Sequence, residues 1–202
     1  MPKRSLPPGP RDERGVLSAR ILQHARAAFA EHGWAGTTVR AVARAADVDP
    51  ALIYHYFGSK EGLLDAATTP PQRWLDNVAK SWTTPKPELG RQLLQTVMDN
   101  WADEEIGPML RAVLLTAAHE PNTRVKLRNV VERSLIGEST LGIDEDDRLK
   151  RSGLIASQLL GFIMMRYVWK IEPVASMSEE DVLTAMTPNI QYYIDGVVSP
   201  HN

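Results

Sequence analysis

The chain has 202 residues, 43% of them hydrophobic and 24% charged, the balance of a globular protein of one large domain or two small ones, which excludes collagen-like, wholly disordered and disulfide-scaffold classes. Its 23 basic and 25 acidic side chains leave a net charge of −2, too near neutral for the whole molecule to bind polyanions by charge alone. There is no cysteine, so thiolate metal sites and a cysteine nucleophile are excluded, and no apolar run reaches the roughly 20 residues of a membrane span; a cytoplasmic chain with no membrane partner is expected.

Any nucleic-acid surface must be local, and the charge is divided in that sense. Residues 1–68 carry 9 basic and 7 acidic side chains, residues 69–202 carry 14 and 18. Residues 1–11 read as a flexible tail, rich in Pro and Gly and without an apolar face. From Asp12 a helix is expected, with Leu17, Ile21, Ala25, Ala28 and Phe29 on one face, Arg14, Arg20, Arg26 and Glu31 elsewhere, and Gly33 ending it in a left-handed cap. Thr38 caps a second, two-turn helix carrying Val39, Val42, Ala43 and Ala46. Asp49-Pro50 is the sharpest boundary: Asp accepts from orphan amides, and Pro at the first helical position loses nothing by lacking one. A third short helix runs to about Phe57, and Gly58-Ser59 stops it and caps a fourth with Leu63, Leu64 and Ala67.

Pro70-Pro71, residues 83–87, Gly107-Pro108, Pro121, residues 137–142 and Pro173 divide the remainder into amphipathic blocks of helical length. A break is expected at Pro70-Pro71. No strand alternation or Asn-Gly hairpin competes. The expected fold is therefore all-α with about nine helices: a three-helix head with a helix-turn-helix over residues 12–66, and a larger helical domain over 67–202.

Within residues 38–57 the spacing has a specific meaning. Two short helices cross steeply when a small residue lets the backbones approach, a turn residue tolerates a left-handed conformation, and apolar residues fill the corner. Ala43, then Asp47, then Val42, Ala46, Val48 and Ile53 meet those demands. In a helix-turn-helix the second helix enters the major groove while the first crosses the backbone.

The run GWAGTTVRAVARAADVDPALIYHYFGSKEGLL over residues 33–64 resembles the DNA-binding signature of the TetR family of bacterial repressors, a likeness that extends over about residues 14–65. The resemblance implies a homodimeric transcription factor bound to palindromic double-stranded DNA and released by a small apolar effector. It places Thr38 and Tyr54 where relatives bind phosphates, and Lys60 where an ammonium meets the backbone, contacts that position without reading sequence. It places Arg40 where some relatives read a guanine. Arg44, Ala51, Leu52 and His55 are further candidates for base edges, and Tyr56 either faces DNA or packs in the head. Phe57 and Trp34 are expected in the head core. Three positions depart from the common pattern: Asp47 stands where Gly is usual, Asp49 where Ser or Thr caps the recognition helix, and Tyr56 separates His55 from Phe57. Lys3, Arg4 and Arg11 read as a solvated tail, with a minor-groove arm as the alternative.

In the second domain, Trp74, Trp82, Val97, Met98, Trp101, Met109, Leu110, Val113 and Leu114 are candidate pocket walls, because Trp and Met offer broad, polarisable surfaces to an apolar ligand. Plain core packing is the alternative for each. His119-Glu120 reads as a helix end rather than a metal site, and neither a metal nor a cofactor is expected. Two last blocks, Leu149, Gly153, Ala156, Leu160, Ile163 and Tyr167, then Val182, Met186, Ile190, Tyr193 and Val197, have the spacing of helices packed at a shallow angle, with Ser157 and Gly161 adding a small-residue face. The resemblance puts the dimer interface there, and burial within one subunit is the alternative.

An enzyme is disfavoured by the inventory: no phosphate-binding Gly-rich loop, no Gly-x-Ser-x-Gly elbow, no His-Glu-x-x-His. The other class of reading is a helical protein-interaction adaptor. It leaves Thr38, Tyr54 and Lys60 without a role and predicts no salt-dependent DNA binding.

Overall fold

The computed structural model describes residues 10–135, 143 and 147–197. Among the described residues every regular element is helical, as the absence of strand alternation requires. Residues 1–9 of the tail, with Lys3 and Arg4, and residues 144–146 lie outside the description, as does the side chain of Arg11.

Helix α1 (Pro10–Gly36) is interrupted at Gly33, whose φ of 63° is positive as expected, while its ψ of −167° makes the bend an extended one and not a left-handed helical cap. The Thr37 hydroxyl donates to the Gly33 carbonyl at 2.8 Å and closes the bend. Helix α2 (Val39–Ala45) is capped by Thr38, which accepts from the Ala41 amide at 3.1 Å. Asp47 takes φ 52° in the turn, one of the few side chains that tolerate it. Helix α3 (Pro50–Phe57) begins with Asp49 accepting from the Ala51 amide at 2.7 Å. Gly58, at φ 74°, ends it. Ser59 then caps α4 (Lys60–Ala67) by accepting from the Gly62 amide at 3.1 Å. Ile21, Ala25, Phe29, Val42, Ala43, Ala46, Ile53 and Leu63 form one apolar cluster, with Trp34, Leu52, Tyr56 and Phe57 half-buried against it.

The chain breaks at Pro70-Pro71 as expected, and α5 (Gln72–Ser81) follows. Then come a 3-10 turn (Lys86–Glu88), α6 (Leu89–Ala102), α7 (Ile106–Ala117) and α8 (Pro121–Leu135). Helix α9 (Arg148–Ile163) runs into a π turn (Met164–Val168), and α10 (Glu179–Asp195) closes the fold. Ser178 caps α10 by accepting from the Asp181 amide, and Glu179, Glu180 and Asp181 place negative charge on its positive end. A second cluster built on Trp82, Leu89, Leu94, Met98, Ile106, Met109, Ile155, Leu159, Val182 and Ile190 fills this body.

Two expectations are corrected here. Arg26 is not on the solvent face of α1: it is buried, because its Nε donates to the Ala67 carbonyl at 3.2 Å and its guanidinium reaches Glu105 at 2.7 Å. Val182, Ile190 and Ala156 are buried within the subunit's own fold, so they are not a dimer surface. A helical period marks a buried stripe without saying which neighbour covers it, and for α10 that neighbour is α6. Gly90 of α6 is where the two backbones meet, since a Cβ there would lie 3.0 Å from the Gln191 amide nitrogen.

Candidate nucleic-acid interface and ligand cavity

The caps of α2 and α3 fix which side chains the head presents. On α3, Ile53 points into the core while Ala51, Tyr54 and His55 are exposed, the i, i+3, i+4 spacing of one outward face. Leu52 and Tyr56 are half-buried against the head core, like Phe57 and Trp34. On α2, Arg40 and Arg44 are exposed, four residues apart on one face, and neither pairs with a carboxylate among the described residues. The Thr38 oxygen accepts from Ala41, which leaves its own proton to donate. The Asp49 carboxylate rests on the amide of Ala51, so its charge meets the positive end of α3.

Lys60 has an internal role as well. Its Nζ donates to the Trp34 carbonyl at 2.6 Å and lies 4.1 Å from the centre of the Trp34 ring. Trp34 in turn stacks on Phe29 at 6.2 Å. An ammonium has three donors, so this clamp leaves capacity for an external anion.

Head and body meet along α1 and α7, and Ala112 of α7 is fully buried in the head cluster. A chain of charges crosses the joint. Arg26 pairs with Glu105, Glu105 with Arg73 at 2.9 Å, and Arg73 with Asp103. Asp103 also accepts from the amides of Glu105 and Ile106 at the start of α7. The Arg73 guanidinium holds the Asp103 carboxyl well below the usual carboxylate range. Hydrogen bonds from Arg26, then Arg73, lower Glu105.

On the other side of α7 lies a cavity of about 310 Å3. Seven of the nine expected wall residues line it: Trp74, Val97, Trp101, Met109, Leu110, Val113 and Leu114. Trp82 and Met98 do not, because both are turned into the body core at 1% exposure each. Sequence reasoning missed Thr68 and Pro70 at the end of α4, Thr96 and Asn100 on α6, and Leu127, Val130 and Val131 on α8. The signal for Thr96 and Asn100 was present: two polar residues at i, i+4 inside the apolar stripe of α6.

The residues expected at a dimer interface fall into three groups, with Ser157 and Leu160 in two of them. Gly153, Ala156, Ser157, Leu160 and Ile163 line the cavity. Val182 and Ile190 belong to the core, with Tyr167, Met186 and Tyr193 half-buried against it and Tyr167 stacked on Trp101 at 5.1 Å. Leu149, Leu160 and Val197 are exposed, as are Ser157 and Gly161. A Cβ on Gly161 would meet no other atom within 4 Å. Tyr192, which falls outside the periodic stripe of its helix, is 52% exposed near Val197 at the same end of the chain.

Comparison with known proteins agrees with this architecture. The model of the tetracyclin repressor-like C-terminal domain matches residues 87–194, and that of bacterial regulatory proteins of the tetR family matches residues 21–67. The HTH-type transcriptional regulator BetI of Stenotrophomonas maltophilia is 32% identical over 117 residues, covering 54% of this chain and 60% of the relative. The HTH-type transcriptional regulatory protein RaaS of Mycobacterium tuberculosis is 30% identical over 137 residues, covering 54% and 64%. The matches thus span less than two thirds of these relatives. A TetR-family regulator from Streptomyces coelicolor superposes with a TM-score of 0.62 at 26% identity, covering 94% of this chain and 99% of that one. SmeT, solved as a complex with triclosan, shares the fold with a TM-score of 0.65 at 18% identity, over 93% and 96% of the two chains.

Proposed function

The chain belongs to the TetR family of bacterial regulatory proteins, and on that footing we propose that it is a homodimeric repressor that grips a palindromic operator and lets go when a small apolar ligand enters the body. The head, up to residue 66, carries the DNA contacts, and residues 67–202 form the ligand-binding and dimerisation domain. Thr38, Tyr54 and Lys60 hold phosphates, Arg40 and Arg44 reach from α2, and Ala51 and His55 meet base edges from the exposed face of α3, with Leu52 and Tyr56 supporting that face from its half-buried side. The partner subunit packs on the exposed part of α9 and α10, around Leu149, Ser157, Leu160, Gly161, Tyr192 and Val197. Two heads about 34–36 Å apart then enter successive major grooves on one side of the duplex.

The observation that carries the ligand-release reading is the double use of α7. One side of this helix seats Ala112 in the head core, while Met109, Leu110, Val113 and Leu114 form cavity wall. A molecule that fills the cavity presses on the element against which the head is packed, and protein interiors are too dense to absorb that locally.

The test is fluorescence anisotropy of the protein with its own upstream intergenic DNA and with a scrambled duplex, across a salt series. The reading expects a preference for the native duplex of about a thousandfold or more, with a steep salt dependence that weakens in Lys60→Ala and an affinity that falls in Tyr54→Ala. Equal, weak binding to both duplexes, followed by failure to select any sequence from random DNA, would refute it. Triclosan, the ligand named for SmeT, is a reasonable first compound to add to the bound complex.

A further inference from the structure

We propose that the cavity takes an uncharged, aromatic molecule bearing a hydrogen-bond-accepting oxygen, and that Asn100 and Thr96 receive that oxygen; this deepens the reading of the cavity as the effector site and rests on it. Asn100 is 3% exposed, and its Oδ1 accepts from the Asn77 amide at 3.1 Å, but its own Nδ2 donates to no group among the described residues. Thr96 is 8% exposed, and its Oγ1 accepts from Gln92 at 3.1 Å, while its hydroxyl proton has no acceptor among the described residues. Both residues line the cavity, and at i, i+4 they sit one above the other on α6.

The other hydroxyls of the wall are occupied. Those of Thr68, Ser81 and Ser157 donate to the carbonyls of Leu64, Val78 and Leu154 at 2.7, 2.6 and 2.7 Å. Lys126 is the one cation among the described wall residues, and its Nζ lies 2.5 Å from the Asp65 carboxylate and 2.8 Å from the Asp65 carbonyl. None of the described wall residues is a carboxylate. A cationic ligand would find no counter-charge there, and an anionic one would have to compete with Asp65 for Lys126. A neutral ligand meets neither cost. The aromatic body has Trp74 and Trp101 to lie against.

The unspent hydroxyl and amide groups of the wall are therefore donors, and the indole N–H groups of Trp74 and Trp101 add two more that no described group accepts. Ser81, Thr96 and Asn100 also border a polar cleft that contains Asn77, Lys80 and Asp99. This orients the ligand: oxygen toward the junction of α5 and α6, apolar body toward Leu110, Leu127 and Ile163. A ligand whose oxygen reaches these donors gains hydrogen bonds that the hydrocarbon analogue does not make, and the site discriminates between the two on that account.

The experiment is calorimetric titration of the full-length protein with matched pairs, benzophenone against diphenylmethane and acetophenone against ethylbenzene, with benzoate and benzylammonium as charged controls. The ketones are expected to bind about tenfold to a hundredfold more tightly than their hydrocarbons. Asn100→Leu, checked for its fold by circular dichroism, should shrink that ratio toward unity while leaving the hydrocarbons unaffected. Thr96→Val should shrink it in part, and it serves alone if Asn100→Leu does not fold. Hydrocarbons binding as well as ketones, or a ratio unchanged in the variants, would overturn the proposal while leaving an apolar effector site standing. Tighter binding of benzoate or benzylammonium would overturn its uncharged character. Failure of every probe to bind would remove the effector site itself, and this inference with it.

Discussion

Replacing Glu105 by Gln isolates the charge chain that ties the head to the body. Arg26 has only a tenth of its side chain exposed, and its two partners are the Ala67 carbonyl and the Glu105 carboxylate. Removing one partner of a fully buried pair costs about 3–5 kcal/mol. Here the Glu105 side chain is 48% exposed, so water screens the pair and replaces part of the missing interaction, and the discounted figure is about 1–2 kcal/mol. For a chain of this size that corresponds to a fall in Tm of about 2–8 °C. The pH dependence has a definite sign. The folded state lowers the Glu105 pKa, so its contribution is complete above the ordinary glutamate value and disappears as pH falls through the depressed folded one. Thermal melts of wild type and Glu105→Gln should therefore differ at neutral pH and converge on acidification below about pH 4. Glu104→Gln, which removes the same charge from an exposed neighbour, should leave Tm nearly unchanged. A Glu105→Gln melt that matches this control, or a gap of equal size at neutral pH and at about pH 3, would refute the argument.

Other substitutions separate the remaining claims. Lys60→Ala should reduce the slope of log affinity against log salt by about 0.9 for the phosphate that the ammonium neutralises, whereas Arg40→Ala should cost about 1–3 kcal/mol on the operator and far less on scrambled DNA; anisotropy titrations measure both, and identical losses on the two duplexes would count against base reading by Arg40. Gly90→Ala forces a methyl group against the backbone of α10 at Gln191, and urea unfolding should show a loss of about 1–3 kcal/mol, with an unchanged midpoint contradicting the close approach. Gly153→Val adds its side chain where no atom lies within 4 Å, on the cavity wall. It should keep the wild-type Tm and yet weaken acetophenone binding by about tenfold or more, the scale of one to two mismatched methyl groups in an apolar pocket; undiminished binding would mean that the ligand lies elsewhere.

The head is legible in the sequence because each of its turns depends on one or two side chains with a fixed conformational meaning. Gly33, Asp47 and Gly58 take a positive φ, and Thr38, Asp49 and Ser59 accept from the amides expected of caps. These are local facts, and local chemistry decides them. The body is encoded in periodic stripes, and a stripe leaves its neighbour open. Val182 and Ile190 follow the same spacing as a dimer seam, but α6 claims them. Trp82 and Met98 look as suitable for a pocket as Trp101 and Met109, and only the packing of α5 and α6 separates them. Arg26 reads as surface because an arginine inside α1 has no reason to be buried until Ala67 and Glu105, 41 and 79 residues away, are brought beside it.

The same long-range geometry limits how a ligand can act on DNA. Moving a two-state equilibrium from 1:99 to 99:1 takes about 5.5 kcal/mol of differential affinity, and an apolar ligand gains about 25 cal/mol for each Å2 of apolar surface it buries. Burial of roughly 200 Å2 would supply that amount only if one state offered it and the other did not. The cavity must therefore have different walls in the DNA-bound and released forms. Its walls are unequal in this respect. The α9 side, with Ala156 and Ile163, contributes no residue to the head cluster. The α7 side, together with Thr68 and Pro70 at the end of α4, is continuous with the head core through Ala112 and with the Arg26–Glu105 pair. Ligand contacts with α7 and the end of α4 are the ones able to change the angle of the head, so substitutions at Met109 or Val113 should uncouple ligand binding from DNA release. Substitutions at Ile163 should alter ligand affinity and leave the coupling intact. Measuring acetophenone affinity with and without operator for each variant separates the two effects, and a loss of coupling at Ile163 alone would assign the lever to the opposite wall.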